Sequence, residues 1–98
     1  MKIAVVGSGI SGLSAAYYLS KKHQVDLFEK EDHFGGHSHT IDLSLGTQKV
    51  SVDVGFIVFN FKTYPNLINF FDEIGVEIEK SNMSLSFLVK EKNYNYYI

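Results

Sequence analysis

Cysteine is absent from the 98 residues, which removes disulfide frameworks, thiolate zinc sites and cysteine nucleophiles at once. Long apolar runs are missing too. The stretch Ile3-Ala4-Val5-Val6 has the look of a signal core, but Gly7 breaks it after four residues, far short of a membrane span. Neither sign of charge dominates. Nine Lys and Arg stand against eleven Asp and Glu, a net charge of −2, and the signs are interspersed. No basic face therefore suggests a nucleic-acid partner. The cytoplasm is the expected compartment, with weak membrane attachment left open.

What is present is a globular balance: 45% hydrophobic and 20% charged residues, enough for one core and too short for a second. Aromatic residues reach 14% and grow denser toward Tyr94, Tyr96 and Tyr97. Those tyrosines read as sheet packing rather than substrate contacts. The chain ends on that aromatic stretch without a closing helix, so it is expected to be the front part of something longer, its last strand paired or covered.

Ile3 to Val6 is a short apolar run suited to a strand buried on both faces. From Ile10 the period becomes helical, with Ile10, Leu13, Ala16 and Tyr17 on one face. Lys21, Lys22 and His23 stand where cations favour a helix C-terminus. Val25 to Phe28 is a second strand ending at Glu29. Strand, glycine turn, helix and strand within about 30 residues predict a right-handed βαβ unit with parallel strands. A polar loop, 30–39, leads to two β-rich stretches, 40–45 and 49–54, joined as a hairpin around Gly46. A helix over 63–75 follows, with Thr63 as cap, Pro65 in the first turn, Leu67, Ile68, Phe71 and Ile74 as apolar stripe, and Gly75 as terminator. Alternation from Met83 to Val89 predicts a strand, and a turn near Lys92-Asn93 leads into Tyr94 to Ile98. The expected fold class is α/β: a Rossmann-like βαβ unit with a β-hairpin insertion and an incomplete sheet. Its parts are 1–39 (βαβ unit and Gly-Gly loop), 40–62 (β-rich insertion) and 63–98 (helix and start of a β-pair).

Gly7-Ser8-Gly9-Ile10-Ser11-Gly12 matches G-x-G-x-x-G between a predicted strand and a predicted helix, where the motif has its mechanism. Gly7 permits the sharp turn, Gly9 leaves room for a pyrophosphate, and Gly12 lets helix and sheet lie close. Free N–H groups of the first helical turn then bind the phosphates. Glu29, at the end of the second strand, is placed to accept hydrogen bonds from adenosine ribose hydroxyls, and its charge disfavours a 2′-phosphate. A bare glycine motif also fits a ligand-free tight turn. The strand, helix, second strand and terminal glutamate at their expected offsets favour dinucleotide binding.

The stretch Glu29-Lys30-Glu31-Asp32-His33-Phe34-Gly35-Gly36-His37-Ser38 resembles the flavin-containing amine oxidase superfamily, with its phytoene-desaturase-like and protoporphyrinogen-oxidase-like members. The resemblance implies FAD as cofactor, with Gly7, Ser8, Gly9, Ile10, Ser11, Gly12, Glu29, Lys30, Gly35, Gly36 and His37 at its ADP end. His37 stands where family members commonly carry arginine. Asp53-Val54-Gly55 resembles the family's Asp-x-Gly, which leads into a loop near the isoalloxazine ring; Phe56 follows where a second glycine is frequent. Gly55 to Asn60 with Thr63-Tyr64-Pro65 is similar to a bacterial subgroup of NAD/FAD-binding proteins in this superfamily. By resemblance the function is that of the FAD-binding portion of a flavin-dependent oxidoreductase, acting on a small-molecule substrate, hydrophobic or amine-bearing, with the remainder of a longer chain. A hairpin after Gly36, rather than further strand–helix alternation, independently favours FAD over NAD.

Other residues carry plainer readings. His33, His37 and His39 lack a completing ligand and read as polar loop residues rather than a metal site. Asp53, at a strand end, reads as making a structural hydrogen bond to the loop rather than as a catalytic group. Phe56, Phe59, Phe61, Phe70 and Phe71 read as core before substrate channel. No catalytic residue is assigned. Three alternatives stay open: an NAD-dependent dehydrogenase, a redox-silent dinucleotide-binding module, and a truncated reading frame with no stable fold.

Overall fold

In the computed structural model, which describes residues 1–89 and 94–97, the last two strands are defined by their backbone alone. The turn expected near Lys92-Asn93, Ile98 and the packing of Tyr94, Tyr96 and Tyr97 lie outside the described residues. The elements run β1 (Lys2–Val6), α1 (Ile10–Ser20), β2 (Gln24–Phe28), β3 (Thr40–Leu45), β4 (Gln48–Asp53), α2 (Pro65–Ile74), β5 (Ser86–Val89) and β6 (Tyr94–Tyr97).

β1 and β2 pair in parallel, from Lys2 opposite Gln24 to Val6 opposite Phe28, with α1 as the crossover. This is the expected βαβ unit. The expectation that β1 is buried on both faces does not hold. Ile3 and Val5 are half-buried while Ala4 and Val6 are exposed, because α1 covers only one face of the pair. On the open face Val6 is 84% and Phe28 55% accessible, beside an exposed Lys2–Asp26 ion pair at 3.4 Å.

β3 and β4 form the expected antiparallel hairpin, with Leu45 opposite Gln48 across the two-residue loop Gly46-Thr47. Gly46 takes φ 63°, the left-handed conformation such loops require. One face of this ribbon pairs Ile41 with Val52 and Leu43 with Val50. The other is polar, with Ser51 Oγ donating to Asp42 and Thr40 Oγ1 donating to Asp53, both at 2.6 Å. Asp53 is thus a structural acceptor, bonded across the strands rather than to a loop. β5 and β6 form a third antiparallel pair. The strand expected from Met83 begins only at Ser86; Met83 and Leu85 precede it and are exposed.

Gly75 ends α2 in the left-handed conformation and donates its N–H to Asp72. Thr63 is not the cap; Tyr64 is. The Thr63 N–H and O–H both donate to Asn60 Oδ1, in a turn that closes before the helix. The apolar stripe holds in part: Leu67, Ile68 and Phe71 are half-buried, whereas Ile74 is exposed. Phe70, which reads as core but lies outside that stripe, is the one buried hydrophobic residue among those whose burial is described, at 8% accessibility. Its ring lies 5.5 Å from Tyr17 and 5.8 Å from Tyr18. Phe59 and Phe71 pack edge to face at 5.5 Å, whereas Phe56 and Phe61 are exposed and do not join a core. The radius of gyration, 18.1 Å, exceeds the roughly 13 Å of a compact 100-residue domain, in keeping with three strand pairs that do not join into one sheet, of which α1 packs on the first.

Candidate functional site

The glycine turn sits at the C-terminal end of β1 and opens directly into α1. Gly7 turns the chain with φ 94° while its N–H donates to the Phe28 carbonyl at 2.7 Å, which ties the turn to the end of β2. A Cβ at Gly12 would overlap the Gly7 carbonyl oxygen, so helix and turn approach as closely as backbone allows. Gly9 caps α1 in an extended conformation with no side-chain hydrogen bond. A Cβ there would meet nothing within 4 Å, leaving open space beside the first N–H groups of the helix. That combination fits a phosphate.

The 30–39 loop returns to this turn. Gly35 donates its N–H to the Ser8 carbonyl at 2.9 Å. A Cβ on Gly36 would stand 3.0 Å from the Gly9 Cα, so the Gly-Gly pair lies against the phosphate turn. The hairpin ladder then extends past its strands. Val54 donates to the His39 carbonyl and Phe56 to the His37 carbonyl, both at 2.8 Å, and a Cβ on Gly55 would overlap the His37 carbonyl. The Asp-x-Gly segment is therefore strapped to the Gly-Gly loop by backbone contacts. The sequence signalled this glycine only through its family likeness.

Glu29 stands behind the turn. Its Oε2 accepts the Ser8 N–H at 2.7 Å and the Ser8 hydroxyl at 2.6 Å. Its Oε1 accepts the N–H groups of Lys30 at 2.8 Å and Glu31 at 3.0 Å. The Ser8 hydroxyl, followed by the Glu31 and Ser8 N–H groups, holds the carboxyl down to about 2, against partial burial that pushes it up. Glu29 is ionised at neutral pH. Lys30 contributes its backbone here, while its ammonium is exposed and pairs with Glu31 at 3.3 Å.

A cleft of about 1040 Å³ runs from this turn to α2. Gly9, Ile10, Gly35, Gly36 and His37 line it from the turn and loop, and Tyr64, Leu67 and Phe71 line it from the N-cap and body of α2. Phe56 lies 5.8 Å from Tyr64, ring to ring, at the far end. Of the residues expected to meet a cofactor, Gly9, Ile10, Gly35, Gly36 and His37 line this cleft. Gly7, Ser8, Gly12, Glu29 and Lys30 do not line it, and Ser11 is exposed on the first turn of α1. The rings of His33 and His39 lie 4.1 Å apart, tilted by 54°, with His33 Nδ1 3.3 Å from Asp32. Among the described residues no group of three or more His, Cys, Asp or Glu is placed to hold a metal ion.

A second polar cluster escaped the sequence reading. Glu73, near the end of α2, accepts the Tyr18 hydroxyl at 2.9 Å and the Tyr17 hydroxyl at 3.4 Å, and pairs with Lys21. The Lys21 ammonium also lies over both tyrosine rings, 4.6 and 4.9 Å from their centroids. Lys21 does stand at the C-terminal end of α1, as its capping residue, but its charge is engaged by α2.

A strand, a glycine turn with a free helix N-terminus and a parallel second strand ending in a caged glutamate make a nucleotide-binding turn. Residues 5–74 match the family described as NAD(P)-binding Rossmann-like domain. The chain belongs to that family. This Rossmann-like chain is similar to the 1-hydroxycarotenoid 3,4-desaturase of Flavobacterium sp. (strain P99-3), 39% identical over 79 residues, covering 80% of this chain and 15% of that protein. It is similar to the zeta-carotene desaturase of Zea mays, 30% identical over 97 residues, 98% of this chain and 15% of the relative. It is also similar to prenylcysteine oxidase 1 of Rattus norvegicus, 50% identical over 44 residues, 41% of this chain and 8% of the relative. These relatives are oxidoreductases by name, in keeping with the amine-oxidase-like resemblance, and the chain spans about 15% or less of their length. No helix among the described residues is long and apolar enough to cross a membrane.

Proposed function

We propose that this chain binds the ADP moiety of FAD and forms the cofactor-binding portion of a flavin-dependent oxidoreductase. The observation that carries the reading is the packing of the Gly-Gly loop on the phosphate turn. Gly35 is bonded to Ser8, Gly36 lies against Gly9, and the ionised Glu29 stands behind. In this arrangement Gly9 and the first turn of α1 take the pyrophosphate, and Glu29 takes the adenosine ribose. Gly36, His37 and the strapped Gly55-Phe56 segment border the path of the rest of the molecule. The flavin supplies the redox chemistry when bound; the chain positions it.

The family's description names NAD(P), so NAD is the competing occupant. The hairpin that replaces strand–helix alternation after Gly36 supports FAD, as do the desaturase and oxidase relatives. The test is to incubate the purified protein with FAD, pass it over a sizing column and record its visible spectrum. The expected result is a retained yellow chromophore that ADP displaces. Retention of NADH with no flavin overturns the reading in favour of a dehydrogenase. The substrate class is proposed from the relatives: a hydrophobic small molecule, reaching the flavin once the rest of such an enzyme is present.

A further inference from the structure

The four hydrogen bonds to Glu29 leave it in an unusual position for a ligand-binding group. A carboxylate offers about four lone-pair sites, and donors within the chain fill four: two from Ser8, one from Lys30 and one from Glu31. A ribose diol arriving at Glu29 brings two more O–H donors and finds the acceptor already saturated.

The four internal donors are not equivalent. Three are backbone N–H groups, fixed by the turn after β1 and by the turn after β2. The fourth is the Ser8 hydroxyl, which swings on a side chain. With Glu29 ionised, the carboxylate can only accept, so the Ser8 oxygen is the donor in its 2.6 Å contact. Ser8 is fully buried, at 0% accessibility, so its hydroxyl has no water to turn to and stays on Glu29 until something displaces it.

We propose that the Ser8 hydroxyl is an internal competitor for the ribose diol: it occupies the Oε2 site that a ribose hydroxyl takes, and it must rotate away for the nucleotide to be read. Ser8 thereby sets how strongly the diol contributes to binding, as a positioning and specificity residue rather than a ligand-contacting one. The three backbone donors keep Glu29 aimed in either state, so loss of the hydroxyl frees an acceptor site without releasing the side chain. This inference rests on the cofactor reading above.

The test compares the full chain with Ser8→Ala and Ser8→Gly, which keep the backbone N–H and lack the hydroxyl. ADP and 2′,3′-dideoxy-ADP are the calorimetric probes. Either variant, if folded, is expected to bind ADP more tightly than the parent by roughly two- to tenfold, the fold-change of one exchanged hydrogen bond. The gain vanishes with the dideoxy probe, which brings no diol to compete. Equal or weaker ADP binding by the variants overturns the Ser8 proposal and leaves the cofactor reading standing. A gain that persists with the dideoxy probe overturns it as well. No ADP binding by any form, the parent included, overturns both.

Discussion

Two glutamates in this chain are each held ionised by several donors, and they are held in opposite ways. Glu29 sits in a cage of three backbone N–H groups and one buried hydroxyl, all within two residues of itself or in the glycine turn. Glu73 is gripped by the ends of three long side chains, Lys21, Tyr18 and Tyr17, from a helix more than fifty residues away in sequence. The first arrangement is made by the path of the main chain. The second is made by rotamers, and each of its side chains loses conformational freedom to form it. A backbone cage suits a group that must be aimed before a ligand arrives. A side-chain clasp suits a joint between elements, and here it joins α2, one wall of the cleft, to α1, which carries the phosphate turn.

Breaking the backbone half should produce the largest effect. Gly12→Ala places a methyl group on the Gly7 carbonyl, so α1 must move off the turn. The expected loss is about 1–3 kcal/mol, the scale of overpacking at a close contact, measured by urea denaturation, together with loss of nucleotide binding. Gly9→Ala separates the two functions of the turn. Its φ is −67° and the added methyl meets nothing within 4 Å, so stability is retained while FAD retention falls. If both substitutions destabilise equally, the space at Gly9 is not where a ligand approaches.

These positions are also the ones that sequence makes legible. A turn of φ 94°, a helix packed on a carbonyl and a loop where a Cβ would stand 3.0 Å from a neighbouring Cα each admit little besides glycine, so geometry leaves its mark on residue type. Glu29 is legible for the same reason, being fixed by its place at the end of a strand. The clasp leaves no such mark. Tyr17, Tyr18 and Lys21 look like any helix surface, and nothing local announces that a glutamate on another element will meet them. Phe70 reads as core from its residue type but falls outside the stripe that the period of α2 predicts, because that face is set by the Tyr17–Tyr18 pair it packs on. Thr63 failed as a cap because Asn60, three residues earlier, already takes its N–H and hydroxyl. β1 reads as doubly buried because its residues suit a central strand, while here only one face is covered.

Acid should distinguish the two glutamates next. Glu29 is lowered from 4.5 to about 2 in the folded chain. A depressed carboxyl contributes stability that is fully present above its unfolded value and is lost as pH falls through the folded one. The Glu29 contribution therefore disappears between about 4.5 and about 2. In Glu29→Gln the acid dependence of unfolding should flatten in that window. An unchanged profile would mean that the cage does not act on the charge. Glu73 is also lowered, chiefly by Lys21 and then by Tyr18, so Glu73→Gln should flatten the acid limb as well. The two differ in salt. Lys21 and Glu73 are 46% and 37% exposed, and an ion pair this open to solvent weakens as salt rises. High salt should speed amide hydrogen exchange in α2 and leave the Lys30 and Glu31 amides unchanged. Equal responses would erase the distinction between cage and clasp.

The smallest expected effect is the most specific. Tyr18→Phe removes the 2.9 Å donor to Glu73 and keeps the ring beside Phe70 and under the Lys21 ammonium, at 5.8 and 4.9 Å. The packing that orients α2 is thus retained. Because Lys21 is the larger cause of the lowered Glu73 value, Glu73 should move only part of the way back toward its ordinary titration, as read by carbon-13 NMR of its carboxyl. In the parent, the Tyr18 phenol is raised above 10, chiefly by its hydrogen bond to Glu73, so the variant should lack the phenolate component that Tyr18 contributes to the parent's absorbance titration. In Glu73→Gln the same component should instead shift to lower pH, since the phenol remains and the negative charge that holds its proton is gone. If Glu73 titrates identically with and without the Tyr18 hydroxyl, the clasp reduces to one ion pair, and the contrast with the four-donor cage at Glu29 becomes one of number rather than of kind.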